Sequence, residues 1–165
     1  VAMLLFLKGF QVAGVRDRNQ SGLRRFVQRR FDLKYPELGR ARILYADSFP
    51  REIFRSYREG YLIGSSMDIS RVRDANQRME EVTIFGESKL FLSGPLRIAL
   101  RCGATIFQTF IRLEPGFKYR IDFLGPLVDP TTDHDEDSTV TALMRTYAAN
   151  VEKNVRSTPS LMTKF

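Results

Sequence analysis

Proton transfer, nucleophilic attack and anion recognition are the chemistries open to the side chains of this 165-residue sequence, and few residues serve the first two. His134 is the sole histidine, so any imidazole general base has one candidate. It lies in Asp133-His134-Asp135-Glu136-Asp137, ahead of a predicted helix, where the acidic residues complement the helix dipole and solvate the loop. One imidazole beside adjacent carboxylates lacks the spacing that turns several ligands onto one ion, so no metal site is expected. Cys102, the only cysteine, precedes Gly103 with no histidine near it in sequence. That reads as a small apolar core residue rather than a nucleophile. G-x-S-x-G, a phosphate loop and G-x-G-x-x-G are all absent, so no hydrolase elbow or nucleotide site has an anchor and no cofactor is expected.

Arginine carries more. Arg16, Arg18, Arg24, Arg25, Arg29 and Arg30 cluster just after an early apolar run, Gln11 to Val15, that reads as a strand. In open α/β sheets the C-terminal strand ends face the ligand crevice, which puts Arg16 and Asn19 in the loop that meets a ligand. For the helical arginines, a solvated basic face on a surface helix is the competing reading. Asp68 ends the predicted strand YLIGSSMD, so the same geometry offers it as a site residue, and a carboxylate there is equally a turn former.

The elements that must position these residues alternate. VAMLLFLKGF reads as the last turns of a buried helix stopped by Gly9, and a basic amphipathic helix runs from Ser21 to about Lys34. RILY (Arg42 to Tyr45) is a small strand, followed by a helix capped by Ser48, with Pro50 in its first turn and Gly60 at its end. The stretch ISRVRDANQRMEE, almost without apolar residues, reads as a mobile loop. EVTIFG (Glu81 to Gly86) is a strand, a loop follows, and Gly94-Pro95 opens a helix closed by Gly103. Ala104 to Leu113 and Lys118 to Gly125 flank Glu114-Pro115-Gly116-Phe117, a type II turn pattern. There Tyr119, Ile121 and Phe123 alternate with Lys118, Arg120 and Asp122, which predicts one buried and one wet face. A helix from Ser138 to about Ser157 closes the chain. This order argues for an α/β fold, a mixed central sheet flanked by helices in a single domain over residues 1–165.

With 26 Lys+Arg against 19 Asp+Glu, the net charge of +7 favours an anionic partner: nucleic acid, phospholipid headgroups or an acidic carrier protein. A basic nucleic-acid-binding module is the alternative from another class, but no aromatic stacking platform interleaves the basic residues, so nucleic acid is not the expected partner. The longest apolar run, Val1 to Leu7, falls far short of the about 20 residues that span a bilayer.

Several segments, in order, resemble the late acyltransferases of lipid A biosynthesis, the lauroyl/myristoyl transferases within the lysophospholipid acyltransferase-like group. They are LKGFQVAGVRDRN with Arg16-x-x-Asn19, FRSYREGYLIGSSMDIS with Asp68, VTIFGES, SGPLRIALRCGATIFQTFIR, and KYRIDFLGPL with TYAANVEKNVRSTP, together spanning about Leu4 to Pro159. The resemblance implies a glycerolipid acyltransferase-like fold and transfer of a fatty acyl chain to a hydroxyl of a glycolipid or phospholipid. The implied donor is acyl carrier protein or acyl-CoA, the acceptor an anionic lipid, and the place the cytoplasmic face of the inner membrane. By the same resemblance Arg16, Asn19, Asp68 and Arg112 fall on family positions. Arg16 and Arg112 are then expected to contact phosphate or oxyanion, and Asp68 to position a polar partner. Family members carry a His-x4-Asp/Glu motif, and here His134 is followed five residues later by Thr139. The family's motif and membrane anchor precede the region that opens this chain, so an N-terminally truncated chain, inactive alone, is the expectation, with a degenerate family member as the alternative. The chain also departs from the family at its end, SLMTKF, with no Trp and no His-Arg-Arg run.

Overall fold

Strands joined through helices need crossover connections and therefore pair in parallel, whereas strands joined by two residues pair antiparallel. Both arrangements occur here. The computed structural model describes residues 2–16, 22–45, 50–65, 78–116, 118–129 and 135–159. The chain divides into two compact units, Val1–Ser65 and Ser66–Phe165, each described by itself.

In the first unit β1 (Val12–Arg16) is the central strand, with β2 (Arg42–Tyr45) and β3 (Leu62–Gly64) parallel on either side. Ala13 stands opposite both Arg42 and Ile63, and Arg16 stands opposite Tyr45. Val12, Ala13 and Leu44 are buried, as expected of a central strand and its neighbour. The helices are α1 (Ala2–Leu7), α2 (Gly22–Lys34) and α3 (Pro50–Arg58), with a 3-10 turn over Pro36–Arg40. α3 stops in a Schellman motif: Tyr61 N–H donates to the Ser56 carbonyl at 3.0 Å and Gly60 N–H to the Tyr57 carbonyl at 3.0 Å. Gly60 sits at φ 79°, a conformation that a β-carbon disfavours. Gly9 ends α1 with the same bond pattern. The turn leads straight into the sheet, since Leu62 N–H already donates to the Gln11 carbonyl at 2.8 Å. Arg42 ties β2 to α3 through Ser56 Oγ at 3.1 Å and Glu59 Oε2 at 2.6 Å, with its guanidinium 4.0 Å from the Tyr61 ring centroid.

In the second unit β4 (Met79–Ile84) and β5 (Glu87–Leu92) form an antiparallel hairpin. The sequence predicts a loop over 87–92, and β5 corrects it. The end of the predicted mobile loop is likewise strand, since Met79–Glu81 belong to β4; its remainder through Gln77 lies outside the described residues. α4 (Gly94–Arg101) ends at Gly103, and α5 (Glu136–Ser157) lays Val140, Met144 and Ala148 on Val82, Ile84 and Phe91, bordered by Leu96, Leu100 and Tyr147. Phe91 and Tyr147 meet edge to face at 5.7 Å. The Phe85 N–H at the hairpin turn donates to Glu152 of α5 at 2.8 Å.

β6 (Gln108–Glu114) and β7 (Lys118–Leu124) pair antiparallel, with Gly116 at φ 79°, the value a type II turn asks of its third residue. The expected burial of the Tyr119, Ile121 and Phe123 face is corrected: Tyr119 and Phe123 are exposed and Ile121 is half-buried. The hairpin instead meets α5 through its other face, where Gln108 is buried. Gln108 Nε2 donates to the Tyr147 carbonyl at 3.3 Å, and Asn150 Nδ2 donates to Gln108 Oε1 at 2.8 Å. The architecture is thus α/β, with parallel and antiparallel ladders flanked by helices. Among the described residues these ladders form one three-stranded and two two-stranded sheets.

Candidate functional site

The carboxyl edge of a parallel sheet gathers the ends of strands that are far apart in sequence, so it concentrates loops at one place. In the first unit that edge holds the last pair of the β1–β2 ladder, Arg16 and Tyr45. The sequence ends that strand at Val15 and puts Arg16 in the loop after it; the backbone of Arg16 is instead the last residue of β1. Asn19 and Asp68 lie outside the described residues, as does His134.

Arg112 lies in the second unit, on the face of β6–β7 that also carries Gln108. Its Nη2 is 2.7 Å from Asp122 Oδ2 of the neighbouring strand, and Arg120 Nε holds Asp122 Oδ1 at 2.8 Å. The Arg112 contact is an ion pair outside hydrogen-bond alignment. Arg112 Nε and Asp122 Oδ2 are buried with no hydrogen-bond partner among the described residues. The Arg120 hydrogen bond and then the charge of Arg112 keep the Asp122 carboxyl below its usual range, against the opposing effect of desolvation. Asp122 is therefore held as an ionised counter-ion between Arg112 and Arg120.

A further ionic cluster joins β4, α4 and the start of α5. Arg97, buried on α4, reaches Glu80 at 2.9 Å, Glu136 at 3.1 Å and Asp137, and its Nε faces Ser93 Oγ at 3.4 Å. Arg101 grips Glu136 with two bonds, at 2.6 and 2.9 Å. The Arg101 hydrogen bond, aided by Arg97, pulls the Glu136 carboxyl down to about 2. Asp135 caps α5 by accepting from Ser138 N–H at 2.9 Å, and that bond lowers its carboxyl too. The acidic run before α5 therefore does more than solvate a loop, because Glu136 and Asp137 anchor two neighbouring elements. The missed signal was Arg97 and Arg101 four apart on an otherwise apolar helix, since a buried guanidinium must find carboxylates. Cys102 is another correction: it is the half-buried C-cap of α4 and not part of the core. Among the described residues no group of three or more His, Cys, Asp or Glu could hold a metal ion. No described helix is long and apolar enough to cross a membrane.

The arrangement thus supplies cationic donors and pinned carboxylates. The pattern of the whole chain shows its family: residues 3–162 match the family model described as bacterial lipid A biosynthesis acyltransferase. The chain belongs to that family. No curated protein matches it. Membership in the lipid A acyltransferase family assigns the chain to the transferase class, with an acyl donor and a lipid acceptor as the general reactants.

Proposed function

We propose that this chain is the substrate-holding part of a membrane-associated acyltransferase at the cytoplasmic face of the inner membrane. It moves a fatty acyl chain from acyl carrier protein or acyl-CoA to a hydroxyl of a lipid A-type glycolipid or a phospholipid. The family match over residues 3–162 carries this reading. In the reaction a base takes the acceptor's hydroxyl proton and the oxygen attacks the thioester carbonyl. The tetrahedral oxyanion then collapses, and the thiolate leaves and is protonated. Arg16 and Arg112 contact phosphate or oxyanion, where guanidinium forks match the geometry of the anion, and Asn19 is a further substrate-binding residue. Asp68 positions a polar partner. The face carrying exposed Tyr119 and Phe123 with half-buried Ile121 between them offers the acyl chain an apolar wall.

No His-x4-Asp/Glu occurs in these 165 residues, so the proposal assigns the proton acceptor to residues outside them. The test is an assay with labelled acyl donor and lipid acceptor on two proteins, the 165-residue chain and a longer one carrying that motif upstream. The expected result is product from the longer protein only, with KM for the acceptor raised about tenfold or more by R16A or R112A, the loss of one charged hydrogen bond. Turnover by the 165 residues alone refutes the assignment of the base. Unchanged kinetics in both variants refutes the two anion contacts.

A further inference from the structure

A surface helix ordinarily turns its apolar stripe to the core and its charges to water. α2 leaves its apolar stripe in water along with its charges. At 100° per residue Leu23, Phe26, Val27, Arg30 and Leu33 fall within one stripe. Leu23 is 75%, Phe26 58%, Val27 55% and Leu33 77% exposed. The half-buried side is the one carrying Gln28 and Phe31, the latter tilted at 45° against Tyr35 just beyond the helix with ring centroids 4.8 Å apart. The helix is strongly basic in sequence, with Arg24, Arg25, Arg29, Arg30 and Lys34 against the single acid Asp32. Two cations fall within the stripe and each covers an aromatic face, Arg30 at 5.3 Å over the Phe26 ring and Lys34, the last residue of the helix, at 5.6 Å over the Tyr35 ring.

We propose that α2 is a docking helix for an anionic bilayer, lying in the headgroup layer with Leu23, Phe26, Val27 and Leu33 inserted and its basic residues on lipid phosphates. The inference deepens the membrane part of the proposed function and rests on that reading for the kind of surface. At 13 residues with five basic side chains, α2 is too short and too polar to span a bilayer. A symmetric pairing of two α2 stripes would bring like-charged rims together. Nucleic acid would use the cations and leave the leucines and valine in water.

The chain contains no tryptophan, so F26W gives a sole reporter. The 165-residue chain is mixed with vesicles of phosphatidylcholine alone, or of phosphatidylcholine with phosphatidylglycerol, and no acyl transfer is read. F26W emission is expected to shift to the blue on the anionic vesicles and to stay unmoved on the neutral ones. R25Q and R29Q should each weaken vesicle partitioning about fivefold, and L23S and L33S each about tenfold. These exposed sites should leave the far-UV spectrum and thermal midpoint in place, separating lost docking from lost folding. The proposal is overturned if F26W emission does not respond to anionic vesicles, including the case where an F123W chain does respond. It is overturned as well if the F26W shift appears without lipid in a chain of doubled mass, or if polynucleotide or acidic carrier protein produces it at lower concentration than the vesicles. Failure of acyl transfer by a longer chain that still docks would count against the enzymatic reading alone.

Discussion

Replacing Arg97 by methionine keeps the side chain's length and removes its charge from the cluster at the start of α5. The consequence can be apportioned among its three carboxylates. The Asp137 side chain is 79% exposed and rehydrates, and Glu136 keeps both bonds from Arg101. The Glu80 side chain, 22% exposed, has no other ion pair among the described residues and loses its 2.9 Å contact. One orphaned, mostly buried carboxylate costs about 1–3 kcal/mol, so R97M should destabilise by about 2 kcal/mol. With a urea m-value of about 1.5 kcal/mol/M for a unit of this size, the midpoint should fall by roughly 1.3 M. Neutralising the orphan tests the assignment. E80Q alone leaves Arg97 its other two partners and should cost about 1 kcal/mol, while E80Q in the R97M background should recover about 1 kcal/mol. The double mutant then lies well short of the sum of the singles. The readout is urea unfolding followed by circular dichroism on all four proteins. Additive singles, or an R97M cost under about 0.5 kcal/mol, would show that the cluster does not hold β4 to α5.

Three further outcomes are expected. The Glu136 carboxyl is held near 2 against an ordinary value of 4.5, so its contribution is complete above pH 4.5 and is lost as pH falls toward 2, because the unfolded chain protonates first; R101M should flatten the urea midpoint across that window. Phe85 occupies φ 53° beside Gly86 at φ 80°, a turn conformation that favours Asn-Gly, so F85N should raise the midpoint by about 0.5–1 kcal/mol of stability, and a lowered midpoint would refute the strain argument. Met144, almost fully buried against the β4–β5 hairpin, should cost about 3 kcal/mol on conversion to alanine, read as a lower thermal midpoint.

Local chemistry was legible wherever it is self-contained. The stops at Gly9, Gly60 and Gly103, the RILY strand and the Pro115-Gly116 turn follow from backbone preferences that need no distant partner. β5 was hidden because its hairpin turn puts Phe85 where asparagine or glycine would announce it. The exposed face of β7 was misread because alternation reports two faces without saying which one meets α5, and Gln108 makes that choice through Tyr147 and Asn150. Arg97 escaped notice because its carboxylates lie on two other elements. At the candidate site, the apolar pattern of β1 was legible but its end was set at Val15, one residue short, because an arginine at a strand end looks like the start of a polar loop. The Asp122 partner of Arg112 was not legible, since a cross-strand neighbour depends on register.

The dependence of Val82, Ile84 and Phe91 on α5 bears on how the protein is made. During translation the β4–β5 hairpin leaves the ribosome well before Val140, Met144 and Ala148 do, and until they arrive its inner residues have only Leu96 and Leu100 of α4 beside them. The nascent second unit is then a sticky ribbon that must be shielded until the final helix is synthesised, and a message cut short ahead of Glu136 would yield a chain destined for proteolysis or aggregation rather than a smaller working protein.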